Sequence, residues 1–160
     1  MWRTIAWFVV KLVVVSAALF GLWEWTLAES YVILFRHVAG AVCGILGIEL
    51  ASLADSIGLV IPRFYNVLPF LSLIIATWGL TIRRRLIAIV AGVCLLVLWH
   101  VGLALAVDSI VAAHGLDRTA YQKLSPWFLI SDALPIVLWV AFAYPSVAAL
   151  FDQRHKHDNQ

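Results

Sequence analysis

Charge is what this chain has least of. Asp, Glu, Lys and Arg make up 12% of its 160 residues, about half the share of an ordinary soluble domain, while 64% of residues are hydrophobic and the mean hydropathy is +0.98. Water is therefore not its main solvent. The net charge of +2 is too small to imply a nucleic-acid partner, and the basic residues sit beside apolar runs rather than along one face. Cysteine is scarce as well. Cys43 and Cys94 both lie inside apolar stretches and share no CxxC spacing, which argues against a disulfide framework and a structural zinc site. No internal repeat, low-complexity tract or soluble-enzyme motif is present, and no cofactor is expected. Several membrane spans within this length leave little chain for a separate soluble module, so a single integral membrane domain over 1–151 with a short tail over 152–160 is the expectation.

What the chain does have is long apolar runs. Phe64 to Ile82 contains no charged residue and Leu86 to Val107 contains only His100, so each meets the ~20-residue length that crosses a bilayer as a helix. Between them stand Arg83, Arg84 and Arg85, each of which would cost roughly 2.5 to 3.5 kcal/mol at the bilayer centre. The pair reads as a membrane hairpin with a cytoplasmic turn. Two further runs, 4–23 and 128–151, complete a predicted all-α bundle of about four transmembrane helices. Lys11 interrupts the first run close to its start, where its stem can carry the ammonium to the interface. A cleaved signal peptide is the rival reading of that run, but WEWTLAES offers no clear A-x-A cleavage site. Trp23, Trp25 and Tyr31, beside Glu24 and Glu29, form an aromatic belt of the kind found at headgroup level.

Ser30 to Leu50 is harder to place, because Arg36 and His37 split it and leave Val38 to Ile48 short for a crossing. Parity decides. If the basic residues near the amino end, the arginine triplet and the tail are all cytoplasmic, an even number of crossings separates them, so 30–48 is expected as an interfacial or re-entrant helix. The chain is then predicted to be an integral membrane protein with both termini cytoplasmic. ASLADSIGLVIPRF, with Gly58 and Pro62, reads as a short irregular or extended segment, and Asp108 to Ser125 as a polar outer connection.

In this orientation Arg63, Asn66, His100, Asp108, Arg118 and Asp132 all fall near the outer leaflet, and they are the candidate binding residues. His100 and Asp108 are about 12 Å apart along one helix, too far for contact, so the partner of His100 comes from elsewhere. Asp132 is a candidate, as is a pairing of Asp132 with Arg63. The competing reading for all of these is a hydrogen-bonded pair that fixes helix packing. A catalytic alternative makes Cys43 a nucleophile, with His37 or His100 as base and Arg36 or Arg63 as anion stabiliser, but its neighbours in AVCGILG are small and aliphatic, which favours a packing role. Cys94, near the bilayer middle, has a weaker case. His155 and His157 lack the further ligands of a metal site, so no metal is expected.

YNVLPFLSLIIATWGLTIRRRLIAIVAGVCLLVLWHVGL, from Tyr65 to Gly102, resembles the central region of the exosortase/archaeosortase superfamily, multi-pass cysteine proteases and transpeptidases that process carboxy-terminal sorting signals. LFRHVAGAVCGILGIELASLADSIGL and PWFLISDALPIVLWVAF extend the likeness over most of the chain after Trp23. The departures fall on the chemistry. Tyr65 stands where the family has its cysteine, His100 to Gly102 replace its arginine-bearing motif, and Phe128 falls where a late histidine is expected. A phenol with an ordinary pKa of ~10 is a poor replacement for a thiolate. The resemblance therefore implies a non-catalytic pseudoenzyme, similar to the membrane proteins associated with exosortase H systems. Its implied partners are the lipid bilayer and an exosortase or a protein bearing a carboxy-terminal sorting signal.

Overall fold

The computed structural model describes the backbone of residues 2–157 and the side chains of residues 5–144. Within them the chain is all-α with no strand, and four helices are long and apolar enough to cross a membrane: Ile5–Leu46, Leu50–Ala76, Ile82–His114 and Arg118–Tyr144. The side chains of Arg3, His155 and His157 lie outside the described residues, as do Asp158, Asn159 and Gln160 altogether.

The first of these helices joins α1 (Trp2–Leu22) to α2 (Ala28–Leu46) through a π-helical turn over Trp23–Leu27. Neither glycine nor proline occurs between Leu22 and Ala39, so nothing in the sequence stops the helix. The Thr26 and Ser30 hydroxyls bond back to the carbonyls of Leu22 and Thr26, as such side chains do inside helices. On an unbroken α-helix Trp23 and Tyr31 would point about 80° apart. The π turn absorbs one extra residue and brings the two rings to one face, with centroids 5.6 Å apart. The expected re-entrant helix over 30–48 is thus the upward continuation of the first helix, with no chain reversal inside it. Reversal comes only at Gly47, whose φ of 69° closes the end while Ile48 N–H donates to Cys43 O at 2.9 Å.

Three boundaries also differ from expectation. The stretch around 51–63, expected to be irregular or extended, is helical: a 3-10 turn (Leu50–Leu53), α3 (Ala54–Val60), a second 3-10 turn (Ile61–Asn66), then α4 (Val67–Ala76). Pro62 does not break it, because Pro62 falls in the first positions of the second 3-10 turn, where no backbone donor is needed. The predicted span 64–82 ends early, at Ala76. Thr77 is extended there, bonds back to Leu73 O at 2.6 Å and accepts from Trp139 Nε1 at 2.8 Å, while Thr81 caps the next helix. Finally, the predicted outer connection 108–125 is mostly helix, since α5 (Ile82–His114) and α6 (Arg118–His157) leave only a three-residue turn between them.

α4 sits centrally, packed on α1, α5 and α6, and α2 and α3 pack on α5. Closest approach of α4 to α5 is set by Gly92, where a Cβ would overlap the Phe70 ring. No residue of the most apolar stretch of the first helix is fully buried, so α1 is peripheral: it packs one face on α4 and presents the rest to the surroundings.

Depth along the bundle follows from α5. Eighteen residues separate Ile82 from His100, a rise of about 27 Å that nearly matches the ~30 Å of a hydrocarbon core. Over that depth, between the arginine triplet and His100, α5 carries no charged residue, α4 and the described part of α6 beyond Asp132 carry none, and Lys11 is the single charged residue of α1 among the described side chains. Above it α2, α3, the end of α5 and the start of α6 continue for about 20 Å. That upper part holds Glu29, Arg36, His37, Glu49, Asp55, Asp108, Arg118 and Lys123. The bundle is therefore a lipid-compatible half and a more polar half stacked end to end.

Candidate functional site

Polar side chains from every long helix gather where the two halves meet. The second 3-10 turn supplies Arg63 and Asn66, which three residues per turn place on one face. α6 supplies Phe128, Ser131 and Asp132 at the i, i+3, i+4 spacing that also shares a face. Arg63 Nη1 donates to both Asp132 oxygens, at 2.6 and 2.7 Å, and its guanidinium carbon lies 4.7 Å from the Phe128 ring centroid. Asn66 Nδ2 donates to Ser131 O at 2.9 Å and lies 3.2 Å from Ser131 Oγ and 3.3 Å from Asp132 Oδ1. The ion pair is not sealed off: the Arg63 and Asp132 side chains keep 31% and 49% of their surface.

Behind this pair is a closed aromatic cluster. His100 is fully buried, its Nδ1 sharing a hydrogen bond of 2.7 Å with the Tyr31 hydroxyl. Phe64 packs on both rings and on Phe35. Among the described residues His100 Nε2 has no hydrogen-bond partner. On the α1 side, the Tyr65 hydroxyl donates to Glu24 at 2.8 Å, with Phe20 stacked on the Tyr65 ring and Trp23 tilted against it.

Of the two pairings open to Asp132, the structure makes the one with Arg63. The partner of His100 is Tyr31, which the sequence places in an aromatic belt without a further role. Asp108 is half-buried and accepts from Ser56 at 3.1 Å. Arg118 is exposed beyond the cluster, at the start of α6. Glu24, Tyr65, Ser131 and Ser56 are contributors that spacing did not single out. Each is a common residue at an ordinary helical position, and only the tertiary arrangement gives it a partner.

The residues of the catalytic alternative are not assembled. Cys43 is 1% exposed. His37 is exposed, about 120° around α2 from Cys43, where Nδ1–H donates to the carbonyl of Ile33 at 2.8 Å. Arg36, also exposed, is two turns away. Cys94 is exposed on the lipid-compatible half with no base beside it. Among the described residues no group of three or more His, Cys, Asp or Glu is placed to hold a metal ion. What the layer can do is bind: it offers a guanidinium, a carboxylate and an amide at one fixed depth on the side of an apolar bundle.

Compared with protein-family models, with curated proteins and with solved structures, the chain matches none of them.

Proposed function

We propose that this chain is a non-catalytic, exosortase-like protein of the bacterial inner membrane, with both termini in the cytoplasm. It assists a protein-sorting system by holding the sorting enzyme or the transmembrane tail of its substrate. The observation that carries this reading is the half-exposed Arg63–Asp132 pair, backed by Asn66, at the level where the apolar surface ends. A helix inserted in the bilayer gains no hydrophobic advantage from binding another helix, so recognition depends on close packing and on polar contacts at a defined height. The pair supplies such contacts to the flank of a partner helix, and the exposed Ile136, Val137 and Val140 of α6 supply apolar surface below it. Burial of Cys43 away from any base, and the engagement of the Tyr65 phenol with Glu24, both weigh toward binding rather than acyl transfer.

Leu129 is 71% exposed and one turn from Asp132, so a photo-crosslinking residue placed there tests the reading directly. In native membranes it should capture a sorting peptidase or a protein carrying a sorting tail. Capture of lipid or of a second copy of the chain alone would overturn the reading.

A further inference from the structure

At the opposite end of the bundle, a cavity of about 520 Å³ opens between α1 and the turn that follows α4. Trp7, Val10, Lys11, Val14 and Val15 line one wall, and Trp78 the other. Those α1 positions follow the i, i+3, i+4, i+7 pattern, so one continuous face of the helix is turned into the groove. Every lining side chain is apolar or aromatic except Lys11. Lys11 is the only cation on the described part of α1, is half-buried, and has no carboxylate partner among the described residues. An ammonium in such a place is costly without a counter-charge, and the described residues supply none there.

We propose that this groove binds one anionic phospholipid, its phosphate on Lys11 and an acyl chain along Val10, Val14 and Val15. Three features of the site fit that ligand together. Tryptophans at 7 and 78 put the groove at the boundary between headgroups and hydrocarbon, where such rings concentrate. Its lining on α1 runs from Trp7 to Val15 along the helix, and Val10, Val14 and Val15 give that wall an aliphatic strip, which suits a chain running parallel to the helices. Arg83 and Arg84, exposed at the start of α5 just beyond the same turn, make this end of the bundle electropositive and enrich anionic over zwitterionic lipids around it. The site is distinct from the Arg63–Asp132 layer and does not depend on the partner reading.

The test uses the full-length chain reconstituted in mixed phosphatidylcholine and phosphatidylglycerol vesicles, gently re-extracted, with retained lipid counted by native mass spectrometry. The wild-type chain should retain one phosphatidylglycerol. Lys11→Gln should lower the lipid-bound fraction about fivefold, the effect of removing one basic contact to an anionic lipid, and Lys11→Arg should restore it. Arg84→Gln, outside the groove, should change it far less. Equal retention of phosphatidylcholine, indifference to Lys11→Gln, or an equal response to Arg84→Gln would each overturn the proposal. So would displacement of the lipid by millimolar inorganic phosphate, which would make the site one for a free anion, or a crosslink from position 14 to another protein.

Discussion

The Tyr31 hydroxyl and His100 Nδ1 lie 2.7 Å apart, joining α2 to α5 across 69 residues of chain inside a fully enclosed aromatic cluster. Because the bond is buried, neither group has water to fall back on when the other is removed. Tyr31→Phe leaves the imidazole with no partner at either nitrogen, an expected loss of about 1–3 kcal/mol. Adding His100→Leu should recover part of that loss, since replacing both polar groups removes the unsatisfied one. Unfolding titrations of the two variants in mixed micelles read the difference directly. Additive losses would mean that the two residues do not act as a pair.

The Arg63–Asp132 pair should behave in the opposite way. Its charges are partly exposed, and pairs of this kind contribute about 0–1 kcal/mol to stability. Arg63→Met is therefore expected to unfold close to the wild-type midpoint while losing the crosslink from position 129. Exchanging the two residues, as Arg63→Asp with Asp132→Arg, should keep the fold and still fail to capture the partner, because the charges are then presented in the wrong order. A large loss of stability in Arg63→Met would instead make the pair a packing device.

At the heart of the lipid-compatible half, Gly92 lets the Phe70 ring rest against the α5 backbone. Gly92→Val should cost about 1–3 kcal/mol by overpacking, and Phe70→Leu in the same chain should relieve much of it. Thermal unfolding of the single and double variants in detergent measures both effects. No relief in the double variant would place the strain somewhere other than this contact.

Asp117 gives a pH prediction outside the membrane. Its carboxylate accepts from Ala120 N–H at 2.8 Å at the start of α6, and this hydrogen bond holds the carboxyl below its ordinary value of 3.8. A carboxyl with a depressed folded value contributes stability that is complete above pH 3.8 and disappears as pH falls through the folded value. Fraying of the first turn of α6 should therefore begin only below pH 3.8. The carboxyl resonance of Asp117, followed by NMR in micelles, should titrate below that of an unstructured aspartate. A midpoint at or above the ordinary value would mean that the cap is not formed.

The apolar runs were legible because a bilayer demands long uncharged segments, and 64–82 and 86–107 show theirs plainly, although the helix in the first of them stops at Ala76. Arg63 and Asp132 were visible as rare ionisable residues at span ends, but period alone left Asp132 divided between Arg63 and His100. Tyr31 was hidden by its own surroundings: next to Trp23 and Trp25 an interfacial tyrosine needs no other explanation, and the π turn that aims it at His100 has no sequence mark. Around Pro62 and Gly58 the local signals point to a loop, while packing of α3 against α5 holds the segment helical. Continuity of the first helix was obscured by Arg36 and His37, which rule out hydrocarbon but not helix.

That continuity has a consequence for topology. Ile5–Leu46 is 42 residues in one helical run, about 63 Å long at ~1.5 Å per residue, and no membrane accommodates all of it within hydrocarbon. Its far end therefore emerges on the side opposite Arg84, at the same end of the bundle as the turn containing Leu116. In a chain carrying Cys43→Ser and Cys94→Ser, Leu46→Cys and Leu116→Cys should both react with a membrane-impermeant thiol reagent added from one side, and Arg84→Cys only from the other. Were 30–48 to dip in and return instead, position 46 and position 34 would label from the same face with equal ease. In the structure Leu34 stands about 18 Å below Leu46 along the axis, close to the aromatic cluster. Graded reactivity, high at 46 and low at 34, is the result that follows from a helix rising out of the bilayer.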